Sequence, residues 1–343
     1  MAKAVKMADI AKVIGVSTVT VSKALSNQKG VSEELRARIK KQAEEMGYKT
    51  NSAIYQERVK TDISYDIGVV ISSRFLDKYN SFYWELYQEV AKAAVQKGCF
   101  TMLEVLEAED ERNCVMPKLL QEKRADGLII LGLLEEEYLL RLHEYASLPF
   151  IYLDFYDKNG TCDAVISNSY FGMYKMTNYL FGMGHKDIAF VGNLLYTGSI
   201  TDRYFGYARS LLEHGVDIRK EWILEDRDSE TGRTDGGFEI KLPEEMPTAF
   251  VCNCDVAAAL LINKLEEKGY RVPEDVSVVG YDNYQPPGLC DIRITSYEVD
   301  MTEMARKTVR NIIRKISGEH YKQGVLIVEG RIEYKDSVAK CRK

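Results

Sequence analysis

The chain of 343 residues has little that would place it in or across a membrane. Its longest apolar run, from Gly127 to Leu134, is far shorter than the roughly 20 residues that span a bilayer. The N-terminal segment, Met1 to Ile14, has no apolar stretch of the kind found in secretory signals. We therefore expect a cytoplasmic protein with no membrane partner.

Regularly spaced cysteines are also lacking. The seven cysteines are odd in number and scattered along the chain, which is typical of reduced thiols and not of a disulfide framework. Cys252 and Cys254 are close together, but no histidine or second cysteine pair follows at the spacing of a zinc site. We interpret both as buried thiols and expect no metal site and no cofactor.

Catalytic signatures are absent as well. The best match to a dinucleotide-binding fingerprint, Gly182-Met183-Gly184, has no third glycine and precedes its strand instead of following it. No nucleophile and base stand in a recognisable grouping. A Rossmann-type oxidoreductase is therefore the disfavoured enzyme alternative, and we predict that the protein is not an enzyme.

What the chain does have is an uneven distribution of charge. Its net charge is −6, yet residues 1–60 carry 12 Lys and Arg against 6 Asp and Glu, whereas the rest carries 34 against 46. A basic head on an acidic body is expected when one end alone meets the phosphates of nucleic acid.

The basic N-terminal segment is predicted to form three short helices. Gly15 is suited to the left-handed end of the first helix, and Ser17 and Ser32 are suited to cap the second and third. The predicted helices are 9–14, 18–25 and a third that ends at Gly47. Helix-turn-helix geometry needs this compact turn and a second helix with one buried face.

The outer face of the second helix carries the candidate DNA-binding residues. Lys23 is suited to donate to guanine, and the methyl groups of Thr18 and Val19 are suited to meet a thymine methyl. Ser17 and Thr20 suit phosphate better. The whole candidate set is Ser17, Thr18, Val19, Thr20, Ser22, Lys23 and Ser26. The alternative is an ordinary helical hairpin with a solvated face.

From residue 66 onward, apolar strands alternate with amphipathic helices, which indicates βαβ units and parallel sheets with helices on both faces. The predicted strands are 67–71, 100–105, 127–131 and 150–153, then 188–191, 249–252 and 276–280. The predicted helices are 82–97, 117–122, 136–145 and 171–183. Two successive sheets imply two lobes, with a ligand cleft between them at the carboxyl ends of the strands.

Several motifs resemble those of the lac repressor/galactose repressor family over nearly the whole chain. They are Asp9-Ile10-Ala11, Gly15-Val16-Ser17, Thr20-Val21-Ser22-Lys23, Gly30-Val31-Ser32, Met46-Gly47-Tyr48, Gly184-His185, Ile188-Ala189-Phe190, Val278-Val279-Gly280-Tyr281-Asp282 and Ile294-Thr295-Ser296. The resemblance implies an all-α helix-turn-helix headpiece and an α/β, periplasmic-binding-protein-like core of two lobes. It also implies a homodimer.

The resemblance further implies the domain boundaries. They are a headpiece at 1–49, a hinge at 50–62 and a core at 63–343, with a first lobe at about 63–167 and 298–321 and a second at about 168–297 and 322–335. Hinge residues of interest are Asn51, Ile54 and Glu57. Family members insert a hinge leucine into the minor groove, and Glu57 stands at that position. A plain solvated linker is the alternative for residues 50–60.

The family's effector positions correspond here to residues at predicted strand ends and on one helix. They are Ser72, Asp154, Arg203, Cys254 and Asp282, with Cys254 in place of the family's asparagine. Carboxylates and a guanidinium are suited to grip vicinal hydroxyls. Phe82, Tyr83 and Trp84 are suited either to stack on a sugar or to pack in the core.

These observations predict a sequence-specific transcription regulator. Most members of the family that it resembles are repressors, so we expect a repressor. We expect it to bind double-stranded operator DNA under the control of a small-molecule effector, a sugar or sugar derivative. An extracytoplasmic sugar-binding protein would share the two-lobed core, but the basic headpiece and the missing signal segment argue against it.

Overall fold

A computed structural model of the protein describes residues 7–25, 30–46, 64–76, 81–158, 160, 162–228, 232 and 238–342. Contacts divide the chain into two compact units. One, the headpiece unit, comprises residues 1–64 with 314–321, and the other, the core, comprises residues 65–313 with 322–343.

The headpiece contains three helices, α1 (Met7–Ile14), α2 (Thr18–Leu25) and α3 (Glu33–Glu45). Gly15 ends α1 with a φ of +78°, a conformation that costs glycine little because it has no Cβ. The Ser17 hydroxyl then accepts a hydrogen bond from the Thr20 N–H at 3.1 Å. This cap starts α2 within a few residues of the end of α1, so the two helices form a tight helix-turn-helix.

One apolar face from each helix forms the headpiece core. Ile10 of α1, Val21 of α2 and Ile39 of α3 are fully buried, and burying a side chain of this size contributes about 1.5 to 3 kcal/mol. Ala11, Ala24 and Ala43 are buried with them. Since the buried residues of α2 lie on one side, its opposite face is left to solvent.

The first lobe of the core is built on a six-stranded, wholly parallel sheet in the order β2-β1-β3-β4-β5-β11. Its strands are β1 (Asp66–Ser72), β2 (Phe100–Leu106), β3 (Gly127–Leu131), β4 (Phe150–Leu153), β5 (Ala164–Ser167) and β11 (Val325–Val328). The helices between these strands are α4 (Phe82–Val95), α5 (Ala108–Arg112), α6 (Lys118–Gln121) and α7 (Glu136–Tyr145).

The second lobe repeats this order of strands as β7-β6-β8-β9-β10-β12, with only the β10–β12 pair antiparallel. Its strands are β6 (Ile188–Val191), β7 (Ile223–Leu224), β8 (Ala249–Cys252), β9 (Ser277–Asp282), β10 (Thr295–Glu298) and β12 (Arg331–Glu333). Its helices are α8 (Ser169–Gly182), α9 (Gly198–Glu213) and α10 (Asp255–Glu267), and α11 (Met301–Ile316) follows β10. The predicted fold class of a helical headpiece and two parallel α/β lobes is confirmed.

Helices cover the central strands of both sheets, as their apolar runs predict. Every residue of β3, β6 and β8 is buried, which is the pattern of parallel strands packed on both faces. The two lobes keep separate apolar cores, one around Ile130 and Tyr138 and the other around Phe250 and Leu261. Each of these two clusters draws its residues from one lobe.

The chain passes between the lobes at three places. It leaves the first sheet at Asn168, and it runs from β10 of the second sheet through α11 to β11 of the first. Residues 329–330 then lead to β12 of the second sheet. The prediction that residues 322–335 lie in the second lobe is therefore wrong for Val325–Val328, which pair with β5. The short strand satisfies backbone groups that β5 would otherwise leave unpaired.

Close packing against α8 sets the position of α9, the helix of the second lobe that faces the cleft. A Cβ atom at Gly206 would overlap the carbonyl oxygen of Tyr170, so the small residue lets the two helices approach each other. The Thr197 hydroxyl caps α9 by accepting from the Ile200 N–H at 3.2 Å. Residues in the first turn of α9 are thereby held at the carboxyl ends of the second sheet's strands.

Candidate functional site

The exposed face of α2 carries most of the residues predicted to bind DNA. Thr18, Val19, Ser22 and Lys23 are exposed, with Val19 62% accessible, and Thr20 is half-buried. Ser17 is exposed but uses its hydroxyl to cap α2. Ser26 and the hinge residues Asn51, Ile54 and Glu57 lie outside the described residues. The predicted division of α2 into a buried and an exposed face is confirmed.

A cavity of about 730 Å³ lies between the two lobes of the core. The first lobe contributes Phe75, Tyr83 and Asp154 to its wall, and the second contributes Tyr196 and Asp202. It lies where strands of both sheets end. In open α/β sheets this edge is where ligands bind, and the volume falls in the range of about 300 to 1,000 Å³ that is usual for small-molecule sites.

Asp154 follows β4 and is held by a strained backbone and a phenol. Its φ of +68° is in the left-handed region, which Asp and Asn tolerate better than most residues. The Tyr83 hydroxyl donates to Asp154 Oδ2 at 2.9 Å. Burial raises the pKa of Asp154 to about 6, Arg203 and the Tyr83 hydrogen bond oppose this rise, and Asp282 adds to it.

Arg203 and Asp282 form an ion pair in the second lobe. Arg203 Nη2 donates to Asp282 Oδ1 at 3.1 Å, and Nη1 donates to the Asn253 carbonyl at 2.5 Å. The guanidinium also lies over the Tyr281 ring, 3.8 Å from its centroid. The side chains of the pair are only 7% and 12% exposed. Burial raises the pKa of Asp282, while Arg203 lowers it.

The structure does not bring all five predicted effector residues to one wall. Asp154 alone among them lines the 730 Å³ cavity, whereas Asp282 lines a second, polar cavity of about 860 Å³. Arg203 is turned into the protein by its pairing with Asp282. The Ser72 side chain is fully buried at the end of β1, and its hydroxyl has no hydrogen-bond partner among the described residues.

Cys254 immediately precedes α10, at the position where the resemblance implied an asparagine. Its Sγ accepts from the Ala257 N–H at 3.5 Å, so the thiol serves as the helix cap. Burial raises the pKa of the Cys254 thiol to about 12, with Asp282 adding to the rise and Arg227 opposing it. The thiol is therefore neutral near pH 7, and it offers a ligand much weaker hydrogen bonding than an amide.

The aromatic triplet at the start of α4 divides between two surroundings. Tyr83 lines the cavity and packs on Phe75, with ring centroids 4.7 Å apart. Trp84 is instead on the outside of α4, 5.6 Å from the Tyr87 ring, and neither it nor Phe82 lines the cavity. Of the three aromatic residues, Tyr83 alone is placed to contact a ligand there.

Sequence reasoning missed several residues of the cleft. Asp202 lines the cavity from α9 and accepts a 3.4 Å hydrogen bond from the Tyr156 hydroxyl of the opposite lobe. Tyr196 lines the same cavity, and Arg227, which does not line it, lies 5.2 Å from the Tyr196 ring and donates to Asp226. Asp202 was visible in the sequence next to Arg203, but only the fold shows which of the two neighbours faces the cavity.

The described part of the chain contains no helix that is long and apolar enough to cross a bilayer. No group of three or more His, Cys, Asp and Glu side chains among those residues has the arrangement of a metal site.

Two family models match the chain. Residues 6–51 match the bacterial regulatory proteins of the lacI family, and residues 177–338 match a periplasmic binding protein-like domain. The first match covers the headpiece helices, and the second runs from α8 to the end of the second sheet.

Relatives and solved structures extend the similarity to almost the full length. The HTH-type transcriptional repressor PurR of Glaesserella parasuis is 28% identical over 92% of this chain and 91% of its own. The PurR of Aliivibrio salmonicida is 28% identical over 97% and 98%. A CelR–cellobiose complex has a TM-score of 0.66 at 21% identity, covering 97% of this chain and 99% of its own. A lac repressor dimer bound to operator and an anti-inducer has a TM-score of 0.63 at 20% identity over 98% and 100%.

A helix-turn-helix headpiece joined to a two-lobed α/β core defines a DNA-binding repressor of transcription. The expectation that the protein is not an enzyme is thereby confirmed, since its relatives are repressors. The resemblance that the motifs predicted is confirmed: the headpiece matches the lacI family, the core matches a periplasmic binding protein-like domain, and the relatives are PurR repressors.

Replacing Asp154 with asparagine tests the cost of its buried charge. The pKa of Asp154 in the folded protein lies above the unfolded value of about 3.9. Its contribution to the free energy of unfolding therefore falls as pH rises from about 4 to 6 and stays low above that. The asparagine side chain would keep an acceptor for Tyr83 and tolerate the left-handed backbone. We expect Asp154→Asn to raise the free energy of unfolding by about 1 to 3 kcal/mol at pH 8 and by little at pH 4.

Urea unfolding at both pH values measures this difference. Asp217→Asn is the matched control, because Asp217 is exposed. An equal effect of Asp154→Asn at pH 8 and pH 4 would show that its charge is not the cause.

A double-mutant cycle tests the buried ion pair. Arg203→Met would leave the Asp282 carboxylate buried without its partner, which typically costs about 3 to 5 kcal/mol. Adding Asp282→Asn removes that charge, so the double variant should recover at least half of the lost unfolding free energy. Strictly additive losses in urea unfolding would show that the two side chains are not coupled.

Proposed function

We propose that the protein is a cytoplasmic homodimer that reads operator DNA with α2. We also propose that its affinity for the operator changes when a sugar or sugar derivative binds between the lobes of the core. The observation that carries the effector proposal is the 730 Å³ cavity, in which carboxylates of both lobes, Asp154 and Asp202, face the same space.

The chemistry of the cavity supports a hydroxyl-rich ligand. Each ionised carboxylate can accept about four hydrogen bonds, and Asp154 and Asp202 each receive one, from Tyr83 and Tyr156. Phe75 and Tyr83 add ring surface on which the apolar face of a sugar can lie. The CelR–cellobiose complex, a structure similar in fold, is a precedent for a regulator that binds a disaccharide.

A ligand in this cavity would contact both lobes at once, which links its binding to their relative position. The Tyr156–Asp202 hydrogen bond and the 3.1 Å contact between the Ser167 and Tyr281 hydroxyls already join the lobes. Where the lobes exchange between two relative positions, a ligand shifts that equilibrium only as far as its affinities for the two positions differ. We propose Asp154 and Asp202 as the direct contacts, with Arg203, Asp282, Cys254 and Ser72 supporting the wall behind them.

For DNA, we propose that α2 enters the major groove. Lys23 would read a guanine, and the methyl groups of Thr18 and Val19 would meet a thymine methyl. Ser17 and Thr20 would bind phosphate. The Ser17 hydroxyl caps α2, so it is less suited to read a base. Ser22 and Ser26 complete the proposed DNA surface, and 50–62, with Asn51, Ile54 and Glu57, remains the proposed hinge.

A dimer is supported by apolar side chains left exposed on one side of the first lobe. Val95 at the end of α4 is 61% exposed, and Phe100 on the neighbouring edge strand β2 is 63% exposed. Val105, further along β2, is exposed with them. Covering this strip with a second copy would remove apolar area from water and bring two headpieces to two half-sites of an operator.

Replacing Lys23 with alanine tests the reading of DNA. An operator is first enriched from a pool of random duplexes, and affinities are then measured for all single-base variants. We expect Lys23→Ala to relax the preference at one base pair of each half-site by about 1 to 3 kcal/mol while nonspecific binding stays nearly intact. Lys12→Ala, at an exposed lysine of α1, should leave every preference in place. A uniform loss across all sequences would make Lys23 a phosphate contact only.

Screening sugars against the protein–operator complex tests the effector proposal. We expect a sugar to change operator affinity and, at 100 times its dissociation constant, to stabilise the protein by about 2.7 kcal/mol. Cellobiose is included in the panel. Asp154→Asn should weaken that sugar at least tenfold, because a hydrogen bond to a charged acceptor contributes about 1.5 to 3 kcal/mol. Asp217→Asn should not, and an effector indifferent to Asp154→Asn would bind elsewhere.

A further inference from the structure

The wall of the interlobe cavity carries more negative than positive side chains. Among the described residues that line it are five carboxylates and two cationic side chains, Arg74 and Lys158. The carboxylates are Glu135, Glu136, Asp154 and Asp157 of the first lobe and Asp202 of the second.

Both cationic side chains are already engaged with the protein. Arg74 Nη2 donates to the Leu133 carbonyl at 2.5 Å and lies 3.4 Å from Glu111 Oε2. Glu111 is itself buried, so its charge largely cancels that of Arg74. Lys158 Nζ lies 2.8 Å from Glu136 Oε2. A phosphate or carboxylate on a ligand would therefore meet each of these cations beside an existing carboxylate partner, which weakens the net attraction.

Asp154 and Asp202, by contrast, have no cationic partner within the salt-bridge distance among the described residues. Each accepts a hydrogen bond from a tyrosine only, at 2.9 Å from Tyr83 and 3.4 Å from Tyr156. Arg203, the nearest guanidinium in sequence to Asp202, bonds to Asp282 and to the Asn253 carbonyl. Burial raises the pKa of both carboxyls, the more distant charge of Arg203 only partly opposes that rise, and a bound cation would oppose it further.

Aromatic rings line the same cavity as these carboxylates. Phe75 and Tyr83 lie on one side, and Tyr156 and Tyr196 lie further along the wall. The face of an aromatic ring attracts a cation within about 6 Å of its centroid. Carboxylates combined with aromatic faces form a surface that favours an ammonium group over a neutral hydroxyl, and a hydroxyl over an anion.

We propose that the effector carries a protonated amine, as an amino sugar does, and that the cavity rejects phosphorylated and carboxylated sugars. This inference rests on the proposed function and specifies the charge class of its ligand. The ammonium group would lie between Asp154 of the first lobe and Asp202 of the second. It would thereby connect the two lobes through one charge.

A series of disaccharides with one skeleton tests the inference. Cellobiose, the β-1,4-linked disaccharide of glucosamine, and glucuronic acid β-1,4-linked to glucose keep the same two rings and linkage and differ mainly in charge. Glucose, glucosamine and glucose 6-phosphate form a second such set. Calorimetric titration of the full-length protein at pH 7 and low salt should show the amine member of a set binding at least tenfold more tightly than its neutral counterpart, with no binding of the anion.

Two variants then assign the preference to the cavity. Asp202→Asn should bring the ratio of amine to neutral affinity down by about tenfold, because it removes one of the two charges that favour the amine. Asp217→Asn makes the same change at an exposed site in the same lobe and should leave the ratio unaltered. A ratio that Asp202→Asn does not move would overturn the inference.

The outcomes separate the inference from the proposed function. If a neutral or anionic sugar alters operator affinity and binds as tightly as its amine analogue, the effector proposal stands and the charge inference is wrong. If no member of either set binds or alters operator affinity, the charge inference falls together with the proposal of a sugar effector.

Discussion

In a parallel sheet the carboxyl ends of all strands lie at the same edge, together with the polar residues that follow them. Both lobes of this core are built on parallel strands. The order of strands is the same in the two sheets. The chain joins the lobes at three crossings, so the two edges share one cleft. For this reason Asp282, at the end of β9, is close enough to Asp154, after β4, for its charge to raise the pKa of Asp154, although more than a hundred residues separate them in the chain. The cavity, its charge and its reach across both lobes all depend on that arrangement.

Burying several charges in one cleft requires that they be paired or that they lose their charge. The second lobe does the former: Arg203 satisfies Asp282, contacts the Tyr281 ring and is itself held by the Asn253 carbonyl. Asp154 has no ion-pair partner among the described residues, and burial raises its pKa to about 6, so its charge near neutral pH is costly to bury. The Arg203–Asp282 pair is therefore suited to support the wall, while the carboxylates that lack a cation are suited to meet a ligand.

Much of the fold could be predicted because its signals are local. Gly15 and Ser17 are adjacent to the helices that they end and cap, and continuous apolar runs such as Gly127–Leu131 indicate strands buried on both faces. The strand Val325–Val328 was misplaced because its partner, β5, lies about 160 residues away in the chain. No local pattern states which of two sheets a short edge strand joins, since either would satisfy its backbone.

The sequence by itself determined the helix-turn-helix, the exposed residues of α2 and the two parallel lobes. Each of these follows from periodicity, from capping or from a motif within one segment, whereas Asp154 was chosen as a cleft residue through the resemblance to the family. Tertiary structure alone decided that Arg203 is paired with Asp282 and that Asp202 faces the cavity. It also decided that Arg74 and Lys158 are paired with carboxylates. Charge at a site is a sum over side chains from distant segments, and that sum exists only once folding has brought them together.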